Sequence, residues 1–64
     1  MDPAERAAIA ALERAWPRYM VWVQHFGPGW AQWYARKWDN QAGQHLITAP
    51  TARDLGRKLG QAAS

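Results

Sequence analysis

The chain has no cysteine, so neither a disulfide framework nor a thiolate metal site holds it together. It lacks any run near the ~18 apolar residues of a membrane span. Its start, MDPAERAAIAALER, carries scattered charges where a secretory signal has a basic start and an apolar core. A cytoplasmic protein without a membrane partner is therefore expected. Length is also scarce. A domain of 64 residues buries only about 60% of the surface its unfolded chain exposes, and without a staple it relies on dense aromatic packing or on a partner chain.

One further absence is local. From Tyr19 to Trp38 the sequence YMVWVQHFGPGWAQWYARKW contains no acidic residue, although it holds Arg36, Lys37, four of the five tryptophans, both tyrosines and the only phenylalanine. The net charge is +3, and all of the excess lies from Tyr19 onward. Up to Arg18, Arg6, Arg14 and Arg18 are balanced by Asp2, Glu5 and Glu13. Beyond it, Arg36, Lys37, Arg53, Arg57 and Lys58 face only Asp39 and Asp54. A basic half argues mildly for a polyanionic partner; a solvated surface typical of a high-GC genome accounts for it as well.

Asp2 to about Trp16 reads as a helix. Asp2 is the N-cap, Pro3 takes the first helical position, and Glu5 has the spacing of a capping box. Ile9, Leu12 and Trp16, with Ala8 and Ala15 alongside, form a narrow apolar stripe that serves as core. Pro17 ends the helix. Tyr19 to Phe26 reads as a strand, Gly27-Pro28-Gly29 as a tight reversal, and Trp30 to Trp38 as the return strand. Asp39-Asn40-Gln41-Ala42-Gly43 is a turn cluster, followed by a short strand over residues 44–49. Pro50 and Thr51 open a second helix, with Thr51 and Asp54 as another capping box and Leu55 and Leu59 as its apolar stripe. Gly56 and Gly60 weaken this helix by up to about 1 kcal/mol each, so it depends on docking. The fold class expected is α+β: one domain over residues 1–64 in the order helix, three antiparallel strands, helix, with both helices on one sheet face.

If Phe26 pairs with Trp30 across the turn, alternation sorts the hairpin into two faces. One carries Met20, Trp22, Gln24, Phe26, Trp30, Gln32, Tyr34, Arg36 and Trp38. The other carries Tyr19, Val21, Val23, His25, Ala31, Trp33, Ala35 and Lys37. Small and β-branched residues let helices lie closely on the second set, which makes it the core and leaves the first set open. A slip of one residue would bring Trp33 to the open side.

An open face of aromatics and arginine suits nucleic acid. Aromatic rings stack on bases for ~1–3 kcal/mol each in single strands. In a duplex groove Arg36 can reach guanine and Gln24 or Gln32 adenine, with Lys37, Arg53 and Arg57 on phosphates. The same residue types dominate protein interfaces, so a homodimer seam or a docking patch for a larger regulator is the competing reading. A third is a second small core formed by the aromatics themselves. Asp54 and Lys58 have the spacing of a favourable helical pair.

Catalytic chemistry is missing. His25 and His45 have neither a cysteine nor a carboxylate pair to complete a metal site, and His25 falls on the core face near the turn. Thr51 is an N-cap and Ser64 is terminal, so no nucleophile sits beside a base. Gly27-Pro28-Gly29 joins two strands and precedes no helix, unlike a phosphate loop. The expectation is a non-enzymatic module with no cofactor, no metal and no small-molecule substrate.

Leu12, Glu13, Trp16, Pro17, Trp22, Trp33, Ala35, Leu55 and Leu59 together resemble the pattern of short tryptophan-rich proteins from high-GC actinobacteria. In that pattern Leu-Glu-x-x-aromatic-Pro precedes Trp-bearing strands and a leucine-containing last helix. The resemblance spans about residues 11–60; it implies a fold and a kind of genome, and no activity. Most such proteins have Gly-Trp where this chain has Arg18-Tyr19. The helix, three strands, helix order is also similar to double-stranded-RNA-binding domains, which implies RNA contact through the first hairpin turn and the start of the last helix. Here Trp30 replaces that family's turn histidine, and Thr51-Ala52-Arg53-Asp54 replaces its lysines.

Overall fold

A computed structural model describes residues 2–38 and 46–63. The order is α1 (Pro3–Ala15), β1 (Tyr19–Gly27), β2 (Trp30–Lys37), β3 (Ile47–Ala49) and α2 (Ala52–Ala63). The strands form one antiparallel sheet in the order β1-β2-β3. The turn cluster over residues 39–43, together with Gln44, His45 and Ser64, lies outside the described residues. Of the strand expected over 44–49, Ile47–Ala49 pairs with β2, while Leu46 precedes it and is exposed.

Each helix begins where its cap dictates. The Ala4 N–H donates to Asp2 Oδ1, and the Asp54 N–H donates to Thr51 Oγ1. The reciprocal halves of the two capping boxes do not form as expected, because the acids have other partners. Glu5 meets His25, and Asp54 pairs with Arg57 rather than with Lys58. Lys58 Nζ instead donates to the Thr48 carbonyl at 2.7 Å.

Register follows the alternation over most of the hairpin: Tyr19 opposes Lys37, Trp22 opposes Tyr34, and Gln24 opposes Gln32. β3 joins in phase, with Ala49 opposite Trp33 and Ile47 opposite Ala35. One sheet face therefore presents Tyr19, Val21, Val23, Trp33, Ala35, Ile47 and Ala49 to the helices. Tyr19, Val21, Trp33, Ala35 and Ala49 are buried there with Leu55 and Leu59 of α2, and Ala8, Ile9, Leu12 and Trp16 pack against them. Ala15, expected on the stripe, is exposed. No residue of α1 is fully buried, so it rests on the core as a half-covered lid.

Near the turn the pairing departs from expectation. Gly27, not Phe26, opposes Trp30, and Phe26 is the extra residue of a β-bulge. The turn chemistry explains this. Pro28 followed by Gly29 at φ 73° has the form of a type II turn, whose twist does not match that of a hairpin. A bulge absorbs the mismatch.

Gly56 and Gly60, expected only to weaken α2, lie under α1. A Cβ on Gly56 would stand 3.3 Å from Leu12 Cδ2, and one on Gly60 3.6 Å from Trp16 Cζ2. The missing side chain at Gly56 thus lets the two helices close over the sheet, whereas at Gly60 a methyl would meet Trp16 at ordinary contact distance.

Two carboxylates set α1 along β1. Glu13 Oε2 accepts from the Val21 N–H at 3.0 Å, and Glu5 Oε2 lies 2.8 Å from His25 Nε2. Eight helical residues rise about 12 Å, and four strand residues span about 13 Å. Helix and strand therefore run in step, and the two acids reach the strand two pleats apart. Glu13 also covers part of the outer edge of β1, as Lys58 does on β3. Charged side chains on edge strands oppose strand addition.

Candidate nucleic-acid interface

The sheet face turned away from the helices carries Met20, Trp22, Gln24, Gln32, Tyr34, Arg36 and Thr48, with Phe26 and Trp30 at the turn end. The alternation that buries Val21 and Trp33 forces their strand neighbours to this side. Three cross-strand rungs result. At the base Met20 opposes Arg36. In the middle Trp22 and Tyr34 stack, with centroids 5.3 Å apart and planes 15° from parallel. Next come the paired glutamines, and beyond them Phe26 and Trp30 meet at 4.6 Å and 46°.

The Trp22–Tyr34 stack covers one face of each ring, so these side chains are half-buried although no helix lies over them. It is worth roughly 0.5–1.5 kcal/mol beyond area burial, and in that sense the middle of the face does pack on itself. The tip does not. Phe26 is 49% and Trp30 57% exposed, and every residue from Gln24 to Trp30 is exposed. Trp38 is exposed beyond the end of β2, its N–H donating to the Arg18 carbonyl.

The described carboxylates, though not the cations, are sorted to one side of the sheet. Each described carboxylate is already engaged on the helix side: Asp2 at its cap, Glu5 at His25, Glu13 at the Val21 N–H and Asp54 at Arg57. Among the described residues Arg6, Arg14, Arg18, Arg36, Lys37 and Arg53 have no salt-bridge partner. Arg36 belongs to the open face. Lys37 follows it at the hairpin end, exposed, with the opposite parity.

The phosphate-contacting set expected from sequence is not brought together. Arg53 and Arg57 lie two residues either side of Leu55, which is fully buried. A helix turns about 100° per residue, so they point roughly 160° away from the core. That places them behind the sheet, on the far side from Trp22 and Tyr34. Arg57 is also held by Asp54. Arg57 and Lys58 line a shallow groove of about 320 Å³ with Pro50, Asp54 and Gln61.

His25, expected on the core face near the turn as a packed or edge residue, is 56% exposed on its side chain and tied to Glu5. The sequence signal for this contact was present but indirect: Glu5, Ile9 and Glu13 share one helical face at four-residue spacing, and Val21 and His25 share one strand edge. Among the described residues no cluster of three metal-ligating side chains forms, and no helix is long and apolar enough to cross a membrane. Comparison with protein-family models, with curated proteins and with solved structures found no match.

Proposed function

We propose that this chain is a small non-enzymatic binding module of the cytoplasm whose open sheet face contacts nucleic acid, duplex DNA in a regulatory or mobile-element setting. The observation that carries the reading is the sorting of the carboxylates. Among the described residues, the exposed sheet face offers Arg36 and two amides and no carboxylate, while the acids are spent on the helix side. A polyanion meets no repulsion there.

The ring geometry favours a groove over a stacking platform. Single-strand binding by stacking needs rings with open faces, and Trp22 and Tyr34 cover one face of each other. Gln24, Gln32 and Arg36 then supply the groups that read base edges. With Arg53 and Arg57 behind the sheet, few phosphates are neutralised, so binding is weak and shallow in its salt response.

The competing reading, a protein-docking or homodimer face, draws on the exposure of Phe26, Trp30 and Trp38. Tryptophan fluorescence during titration with a mixed-sequence duplex, at low and at physiological salt, separates the two. Saturable quenching that weakens with salt and is lost in Arg36→Ala is the expected result. Absence of quenching, with a dimer mass in light scattering that Trp22→Ala lowers to the monomer, would overturn it.

A further inference from the structure

The strongest feature outside the middle of the open face is the hairpin tip. Gly27-Pro28-Gly29 carries no charge, and the bulge holds the Phe26 and Trp30 rings together on the open side. Nothing in the core requires these rings. Both are exposed, and the one ionisable side chain beside them, His25, is tied to Glu5. The direction of the arm is nevertheless fixed. The two carboxylates of α1 grip β1 up to His25, and Pro28 restricts the turn.

We propose that this tip is an apolar wedge that enters between adjacent base pairs of duplex DNA and unstacks them, with Arg36 reaching a base edge further along the same hairpin. The proposal rests on the nucleic-acid reading above and adds what the tip does. Its warrant is the matching of apolar end and cationic end on one face. Trp30, Gln32, Tyr34 and Arg36 share that face of β2. From Trp30 to Arg36 the strand spans about 20 Å, or about six base-pair steps of 3.4 Å. Apolar side chains that enter a base step kink the duplex, and the amides beside them read the neighbouring edges. Gln24 and Gln32 stand on the rung next to the wedge.

A wedge binds more tightly where unstacking is already cheap. The test measures fluorescence anisotropy of a labelled 20-base-pair duplex, fully paired or with one central mismatch, and in parallel the emission of 2-aminopurine beside the mismatch. The native chain is expected to favour the mismatched duplex by about fivefold or more and to raise the 2-aminopurine signal. The double variant Phe26→Ala/Trp30→Ala should bind both duplexes with one common, weaker affinity and leave 2-aminopurine quenched. These are exposed positions, and an unchanged circular dichroism spectrum confirms the fold.

Binding without mismatch preference or 2-aminopurine enhancement would overturn the wedge and leave the nucleic-acid reading intact. Retention of both effects in the double variant would also overturn it. No anisotropy change on either duplex would remove both proposals. A dimer mass that the double variant reduces to a monomer would overturn the wedge alone, since the tip would then meet a second copy of the chain.

Discussion

The base of the β1–β2 hairpin and its tip draw on the same residue types, and their environments are opposite. Trp33 and Trp30 stand three residues apart in one strand; the first is 8% exposed, the second 57%. Parity sends Trp33 towards α1 and α2 and Trp30 to the other side. At the base the neighbours are Val21, Ala35 and Ala49, small enough for Leu55 and Leu59 to close over them. At the tip the neighbours are glycines, a proline and Phe26. One half is therefore held by burial and the other by local geometry, namely a bulge, a turn and two carboxylate ties. The tryptophan and the phenylalanine on the uncovered half contribute little to the domain's own core.

The largest expected effect breaks the base and spares the tip. Leu55 is fully buried, so Leu55→Ala removes apolar contact and leaves a cavity, at about 2–5 kcal/mol. In a domain this small that loss unfolds most of the population. Trp30→Ala deletes a larger side chain, yet it should change stability by less than ~0.5 kcal/mol, as surface substitutions do. Urea melts of the two variants make the comparison. Equal destabilisation would mean that the tip belongs to the core and would end the argument for a free wedge.

The next effect attacks the tip's own support. Gly29 has φ 73°, and a side chain in that region costs about 1–2 kcal/mol, although the space around it is open. Gly29→Ala should lower the denaturation midpoint, whereas Gly27→Ala, at ordinary φ, should cost less. Glu13 tests the seam between helix and hairpin. Glu13→Ala leaves the Val21 N–H without its carboxylate and should cost about 1 kcal/mol, with faster hydrogen exchange at that amide. Glu13→Gln keeps an acceptor and should recover part of the loss. Unchanged exchange at Val21 in Glu13→Ala would show that α1 docks through Ile9, Leu12 and Trp16 alone.

Much of this arrangement was legible in the chain. Period-two alternation placed Val21, Trp33 and Ala35 inside and Trp22, Tyr34 and Arg36 outside, because one face alone is small enough to accept helices. Element order and both N-caps followed from proline, aspartate and threonine positions. Three features were not legible. The bulge at Phe26 depends on a conflict between turn type and strand twist, and alternation does not register that conflict. The partners of Glu5, Asp54 and Lys58 depend on the phase between helices and sheet; local spacing favoured capping boxes and an Asp54–Lys58 pair, and tertiary partners took the same groups. Arg53 and Arg57 looked available to the aromatic face because charge counts carry no side, and the phase of α2 turned them away.

The smallest effect concerns the contact of α1 with α2, where the two glycines of one helix are not equivalent. Both lose helix propensity relative to alanine, by up to about 1 kcal/mol. At Gly60 a methyl would sit 3.6 Å from Trp16 Cζ2, an ordinary packing distance, so Gly60→Ala should gain stability by about 0.5–1 kcal/mol. At Gly56 the nearest atom, Leu12 Cδ2, is 3.3 Å away, and the leucine must shift before the same gain is realised. Gly56→Ala should therefore fall below Gly60→Ala in thermal midpoint, at or under the native value. The double variant Gly56→Ala/Leu12→Ala separates propensity from crowding: if crowding sets the cost, alanine at position 56 stabilises a chain in which Leu12 is already truncated. Should Gly56→Ala and Gly60→Ala stabilise equally, the close approach of the two helices is not enforced at Leu12, and α1 has room to slide on the sheet that carries the hairpin.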